Sequence, residues 1–144
     1  MDKKELLKID NQICFKLYTS SRFIIQLYTP LLDELDLTYL QYLVMLVLWE
    51  YHELSVKQIG EILYLDSGTL TPLLKKLEKK NLVIRSRNQD DERIVNISLT
   101  NKSKELKKNA LTIPEKILCK SNMNINDLLE IRELLDKLIK LNKA

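Results

Sequence analysis

The chain has 144 residues, 45% of them hydrophobic and 30% charged, with a formal net charge of +3. That length suits one domain with its own core, and two glycines with three prolines leave little irregular structure, so a mainly α fold is expected. Two cysteines and one histidine are too few for a closed zinc site, and two glycines too few for a phosphate-cradling loop.

The longest apolar run, residues 42–49, falls well short of the roughly 20 residues a membrane helix needs. The charged start MDKKE leads into no signal-peptide core. These features predict a cytoplasmic protein with no membrane partner, no metal and no cofactor. Charge is uneven along the chain: residues 1–54 carry 5 basic and 8 acidic side chains, residues 55–144 carry 18 and 12. The basic excess lies in the second part.

Residues 6–28 predict a long helix, with Ile13, Leu17, Ile24 and Tyr28 on one face and Pro30 ending it, then a short helical turn over 31–35. Cys14 lies near its start. A cysteine in a helix is ordinarily an inert core thiol. Tyr18, Tyr28 and Tyr39 suggest another use, because a phenol can donate a hydrogen bond to a thiolate and favour the ionised form. Tyr18, one turn on, can approach Cys14 of its own chain. Tyr28 is 14 residues further along the helix, roughly 21 Å at the usual rise. It reaches only the Cys14 of a second subunit whose first helix runs antiparallel.

Thr38 and Gln41 form a capping box, with Leu37 and Tyr42 placed as a hydrophobic staple. They open a helix to about His52 that is apolar almost all round and so belongs at the centre of the fold. Trp49 is expected in the core, and His52 at the surface with no catalytic role. Ser55 and Gln58 form a second capping box, followed by the stripe Ile59, Ile62 and Leu63. Tyr64-Leu65 leaves room only for a tight turn.

The next helix starts at Asp66 or Ser67 as N-cap and buries Leu70, Leu73, Leu74 and Leu77. Its other face carries Ser67, Thr69, Thr71, Lys75, Lys76 and Lys79, and Gly68 leaves space for a partner's backbone to come close. Strands at 82–84 and 94–97 then flank a polar tip from Arg85 to Arg93. A Leu-striped, Lys-faced helix alone is ordinarily a solvated surface helix. Two short helices, a tight turn and a hairpin together predict a winged helix-turn-helix, residues 55–100, that reads double-stranded DNA.

A Lys-rich helix from about Lys102 follows, interrupted near Pro114, and Cys119 lies beyond the interruption. A last helix over 126–141 carries Leu128, Ile131, Leu135, Leu138 and Ile139. The apolar terminal helices, 6–35 and 102–143, exceed what so small a core can cover. They predict a two-fold homodimer whose recognition helices meet half-sites one turn apart.

The chain resembles the MarR family of regulators, and within it the OhrR branch of organic-hydroperoxide sensors. The resemblance covers most of the chain. It is tightest in Gln12-Ile13-Cys14-Phe15, in Leu37-Thr38-Tyr39 with Gln41-Tyr42, in LDSGTLTPLLKKL (65–77), and in Asp91-Glu92-Arg93. It implies that Cys14 is the peroxide-reactive thiol, hydrogen-bonded by Tyr28 and Tyr39 of the opposite subunit, and that Asp91 braces Arg93 for the minor groove. It also implies repression relieved by organic hydroperoxide. Cys119, 105 residues after Cys14, is spaced like the resolving cysteine of two-cysteine members, which form intersubunit disulfides. Leu40, Asn81 and Ser103 depart from the pattern, where relatives carry Pro, Gly and Gly; none touches the implied chemistry.

Three other readings stand beside this one. A one-cysteine regulator would form a mixed disulfide with a small thiol. A MarR-type regulator gated by a small aromatic ligand would leave Cys14 inert. A peroxide-consuming thiol enzyme is disfavoured, since no base or arginine evident in the sequence lies near Cys14.

Overall fold

The computed structural model describes residues 3–142. A short helix α1 (Lys3–Leu6) and a 3-10 turn (Ile9–Asn11) precede α2 (Ile13–Asp33). Gln12 is extended, at φ −85° and ψ 103°, and its side-chain amide turns back to the carbonyls of Leu6 and Lys8, 3.3 Å from the latter. This break starts the long helix at Ile13 rather than near Leu6. Pro30 does not end it. Proline removes one helical N–H bond, but here it falls in the last turn, and buried Leu31 and Leu32 hold that turn to the core. Residues 31–33 therefore prolong α2 instead of forming a separate turn. The helix closes with Asp36 left-handed at φ 53° and Leu37 N–H donating to the Leu32 carbonyl at 3.0 Å.

α3 (Tyr39–Tyr51) opens with both halves of the Thr38/Gln41 capping box in place. It buries Tyr42, Val44, Met45, Val47, Leu48 and Trp49, as its all-round apolarity requires. His52 caps its end at the surface. Then come β1 (Glu53–Ser55), α4 (Val56–Leu63), α5 (Ser67–Lys79), β2 (Val83–Arg87) and β3 (Val95–Leu99). The sheet has the order β1-β3-β2, both pairings antiparallel, with Leu54 opposite Ile97 and Arg85 also opposite Ile97 on the other side. The hairpin was expected; β1 was not, because three residues show no readable alternation and the pairing partner lies some forty positions away.

Thr100 caps α6 (Asn101–Ala110). The Trp49 indole N–H donates to the Ser103 carbonyl at 3.0 Å, and Lys107 Nζ donates to the Trp49 carbonyl at 3.0 Å. These bonds tie α3 to α6 around a Ser103 that is wholly buried. A glycine is not needed at that position: the serine hydroxyl is satisfied by donating 2.7 Å to the Thr100 carbonyl. Asn81, left-handed at φ 58°, likewise does the work of a glycine after α5.

α7 (Ile113–Ser121) and α8 (Ile125–Leu141) complete the described chain. Two units divide it, residues 1–113 and residues 114–144. The first holds a core in which Leu48, Ile59, Leu70, Leu74, Leu77 and Ile97 are essentially inaccessible, each worth about 1.5–3 kcal/mol of burial. In the second, α8 is capped by Asn124 and buries none of its residues. Among the described residues, no helix is long and apolar enough to cross a membrane.

Candidate functional site

The turn between α4 and α5 is built on Gly60. A Cβ there would lie 2.6 Å from the Leu65 carbonyl oxygen, so only glycine lets the chain reverse this tightly. Tyr64 supplies the left-handed residue, at φ 55° and ψ 38°, and Leu65 N–H donates to the Gly60 carbonyl at 3.0 Å. Asp66 then caps α5. Its Oδ1 accepts from the Thr69 N–H at 2.9 Å and its Oδ2 from the Thr69 hydroxyl at 3.1 Å. These bonds, the backbone one first, hold the Asp66 carboxyl below its usual range.

Gly68 serves that cap: a Cβ there would meet Asp66 Oδ1 at 2.9 Å. With Leu70, Leu73, Leu74 and Leu77 buried, α5 presents Ser67, Gly68, Thr69, Lys75 and Lys76 at the surface and Thr71 half-buried.

The wing closes where Asn88 N–H donates to the Ile94 carbonyl at 2.8 Å. At its tip Asp91 Oδ1 accepts from Arg93 N–H and Nε at 3.0 Å, and Oδ2 from Nη2 at 3.2 Å. The guanidinium beside it holds the Asp91 carboxyl below the usual range. The Arg93 side chain is nonetheless 90% exposed, a charge aimed by its carboxylate but left open to solvent.

Between the wing and α5 lies a groove of about 660 Å³ lined by Ser67, Thr71, Arg85 and Arg93 among others. Arg85 belongs to β2, not to the tip. It is half-buried, with Nη1 3.8 Å from Glu78 Oε2 and a buried Nε that has no partner. Sequence reasoning missed it as a site residue. The signal was strand alternation, which turns Arg85 to the same face as buried Val83.

Cys14 is exposed in the first turn of α2, and Cys119 is exposed on α7. Tyr28, on α2, meets Tyr39, on α3, edge to face with ring centroids 5.1 Å apart, and lies 5.8 Å from Tyr42. Burial raises the pKa of both Tyr28 and Tyr39, and Tyr39 adds to the rise at Tyr28; burial and the two neighbours carry Tyr42 to about 12. All three phenols therefore keep their protons, and their capacity to donate, throughout the neutral range. Cys14 and Tyr28 share α2, so roughly 21 Å of helix separates them within one protomer. One chain brings Tyr28 and Tyr39 together and leaves Cys14 at the far end. Tyr18 lies against Arg22, whose guanidinium carbon is 5.5 Å from the ring centre.

A capped, apolar-backed helix held at a tight turn against its predecessor, beside an arginine-tipped wing, defines a winged-helix DNA-binding transcription regulator. The family described as transcriptional regulator SarA/Rot matches residues 26–110. The chain belongs to this family of MarR-like transcriptional regulators, which are not enzymes. It is similar to the organic hydroperoxide resistance transcriptional regulator of Bacillus subtilis, strain 168, with 49% identity over 138 residues, 96% of this chain and 94% of that one.

Among solved structures it resembles AbfR, a protein of Staphylococcus epidermidis. Reduced AbfR bound to DNA superposes with a TM-score of 0.80 at 35% identity, covering 99% of each chain. Overoxidised AbfR bound to DNA gives 0.78 at 37% identity, over 96% of this chain and 98% of that one. Disulfide-formed AbfR gives 0.64 at 35% identity, over 98% and 94%.

Proposed function

We propose that this chain is a redox-sensing repressor that binds a pseudo-palindromic operator as a homodimer and releases it when an organic hydroperoxide oxidises Cys14. One observation carries the reading. An exposed thiol sits at one end of α2, and two phenols that keep their protons meet at the other end, so thiol and donors complement each other only across a two-fold axis. The exposed apolar side chains of α2, among them Ile13, Phe15 and Phe23, supply a face for the second copy. The uncovered stripe of α8 supplies another. The similarity to a regulator of organic hydroperoxide resistance supports the choice of oxidant.

On DNA, the first turn of α5 enters the major groove with Ser67, Gly68, Thr69 and Thr71 at base edges or phosphates. Lys75 and Lys76 meet phosphate. Asp91 presents Arg93 to the minor groove, where a narrow, negative groove favours arginine.

The chemistry balances in two steps. The Cys14 thiolate attacks the hydroperoxide O–O bond, which breaks. Sulfur gains the hydroxyl as a sulfenic acid, and the alkoxide leaves as alcohol after taking up the thiol proton. The thiolate of the partner's Cys119 then attacks the sulfenic sulfur, forming the disulfide and expelling hydroxide, which leaves as water with the Cys119 proton. A disulfide suits the size of the task. Moving a two-state protein from 1:99 to 99:1 takes about 5.5 kcal/mol, whereas one altered hydrogen bond supplies about 0.5–1.5 kcal/mol.

AbfR supports this route over sulfur oxidation alone. Its overoxidised form was solved on DNA, and it is the disulfide form, at equal identity and similar coverage, whose TM-score falls from 0.80 to 0.64.

The test is an anisotropy titration of labelled operator DNA. Cumene hydroperoxide is expected to release the DNA, dithiothreitol to restore binding, and a cross-linked dimer to run on non-reducing gels. Protein alkylated at Cys14 that still binds DNA and still responds to a small aromatic ligand would establish the ligand-gated reading instead. Peroxide release with the protein still monomeric on the gel would establish the one-cysteine route.

A further inference from the structure

Lys80 is the C-cap residue of α5, and unlike Lys75 and Lys76 its side chain is committed within the fold, 27% exposed. Its Nζ donates to the Asp36 carbonyl, lies 3.1 Å from Asp36 Oδ1 and donates at 3.4 Å to Gln41 Oε1. Gln41 is itself buried, and the same oxygen accepts from the Thr38 N–H at 3.1 Å as half of the α3 capping box. On the other side, Lys102 Nζ donates to the Lys80 carbonyl at 2.8 Å. Asp36 and Gln41 bracket Tyr39, whose ring meets Tyr28 at 5.1 Å. One lysine thus ties the foot of the recognition helix to the short segment that carries Tyr39.

We propose that Lys80 is a positioning residue that couples the Tyr39 segment to the tilt of α5. The inference rests on the redox reading above and adds the route from sensor to DNA. When the disulfide displaces Tyr39, the first turn of α3 moves with it, and the bonds from Asp36 and Gln41 carry that movement to the C-terminal end of α5. A helix of 13 residues is roughly 20 Å long, so a tilt of about 10° at its foot displaces its DNA-facing end by roughly 3 Å. That is enough to break the contacts of the first turn.

The test compares Lys80→Met, which keeps the stem but loses every donor, with Lys80→Arg, which keeps the charge and the donors. Operator affinity is measured reduced and after cumene hydroperoxide, with Cys14 oxidation quantified by mass spectrometry. Lys80→Met is expected to bind operator when reduced and to be oxidised fully. Its oxidised-to-reduced ratio of dissociation constants is expected to shrink by at least about fivefold, the lower end of typical couplings, and Lys80→Arg to restore it. Its slope of log K against log salt is expected to match wild type, whereas a lost phosphate contact would lower the slope by about 0.9.

An unchanged ratio would overturn the proposal, whether or not both affinities fall together. If Lys80→Met fails to fold, Asp36→Gly decides the matter, because glycine tolerates the left-handed backbone at φ 53° and removes the side-chain acceptor altogether. A smaller ratio supports the coupling and an unchanged one refutes it. A wild-type protein that keeps its operator with Cys14 fully in the disulfide would instead overturn the redox reading, and this inference with it.

Discussion

Gly60→Ala tests the helix-turn-helix geometry most sharply. The added Cβ would stand 2.6 Å from the Leu65 carbonyl oxygen and 3.2 Å from Leu70 Cδ1, where ordinary contact begins near 3.4 Å. The oxygen must retreat by about 0.8 Å, and it belongs to backbone, which cannot swing aside as a side chain can. Leu65 N–H also donates to the Gly60 carbonyl at 3.0 Å, so the same movement strains the bond that closes the turn. Overpacking of this kind costs about 1–3 kcal/mol, offset by up to roughly 1 kcal/mol of better helix propensity. At a few degrees per kcal/mol for a chain of this size, the net loss of up to about 3 kcal/mol should lower the melting temperature by up to roughly 10 °C.

Because the strain lies where α5 is set against α4, operator affinity should fall as well. Melting by circular dichroism at fixed protein concentration, paired with operator titration, reads both. Gly68→Ala is the control for the melt alone, since Gly68 itself stands in the DNA-facing turn: its Cβ meets only the Asp66 carboxylate, a side-chain end that can shift. A Gly60→Ala protein that melts within about 1 °C of wild type and binds operator equally well would refute the tight-turn argument.

Three further outcomes are expected. Arg93→Ala should weaken operator binding more than neutralising any other exposed surface charge, and Asp91→Ala should weaken it less, because Arg93 stays but loses its brace; titration of labelled operator checks both. Lys75→Gln should lower the salt slope of binding by about 0.9, seen by titrating operator from 50 to about 200 mM salt. Tyr28→Phe and Tyr39→Phe should each slow alkylation of Cys14 at neutral pH, by about 2–13-fold if one hydrogen bond to the thiolate is lost, with operator affinity of the reduced protein nearly unchanged. Equal alkylation rates in both variants would remove the phenols from the site.

Much of the DNA-reading lobe was legible because its signals are local. Two capping boxes, the Leu70-Leu73-Leu74-Leu77 stripe and the paired β-branched runs each declare an element within a dozen residues, and the order of elements then names the architecture. The errors were local too. Gln12 breaks the first helix through side-chain bonds that no periodicity encodes, and Pro30 reads as a stop although two buried leucines carry the helix past it. β1 escaped because its pairing partner, and not its own sequence, makes it a strand.

The Tyr28–Tyr39 contact and the Lys80–Asp36–Gln41 tie join positions up to 44 residues apart. They appear only once α2, α3 and α5 are packed. Arg85 shows the intermediate case: its strand alternation is readable, but it also opens the polar stretch that runs to Arg93.

The central claim is that closure of the Cys14 disulfide and loss of the operator are one event. A graded titration with cumene hydroperoxide, measuring the Cys14 disulfide by mass spectrometry and operator occupancy by anisotropy in the same samples, addresses it directly. The two curves should superimpose, reverse together on adding dithiothreitol, and vanish together in Cys14→Ser. A sample with Cys14 fully in the disulfide and the operator still occupied, or a Cys14→Ser protein that peroxide still releases, would contradict the account.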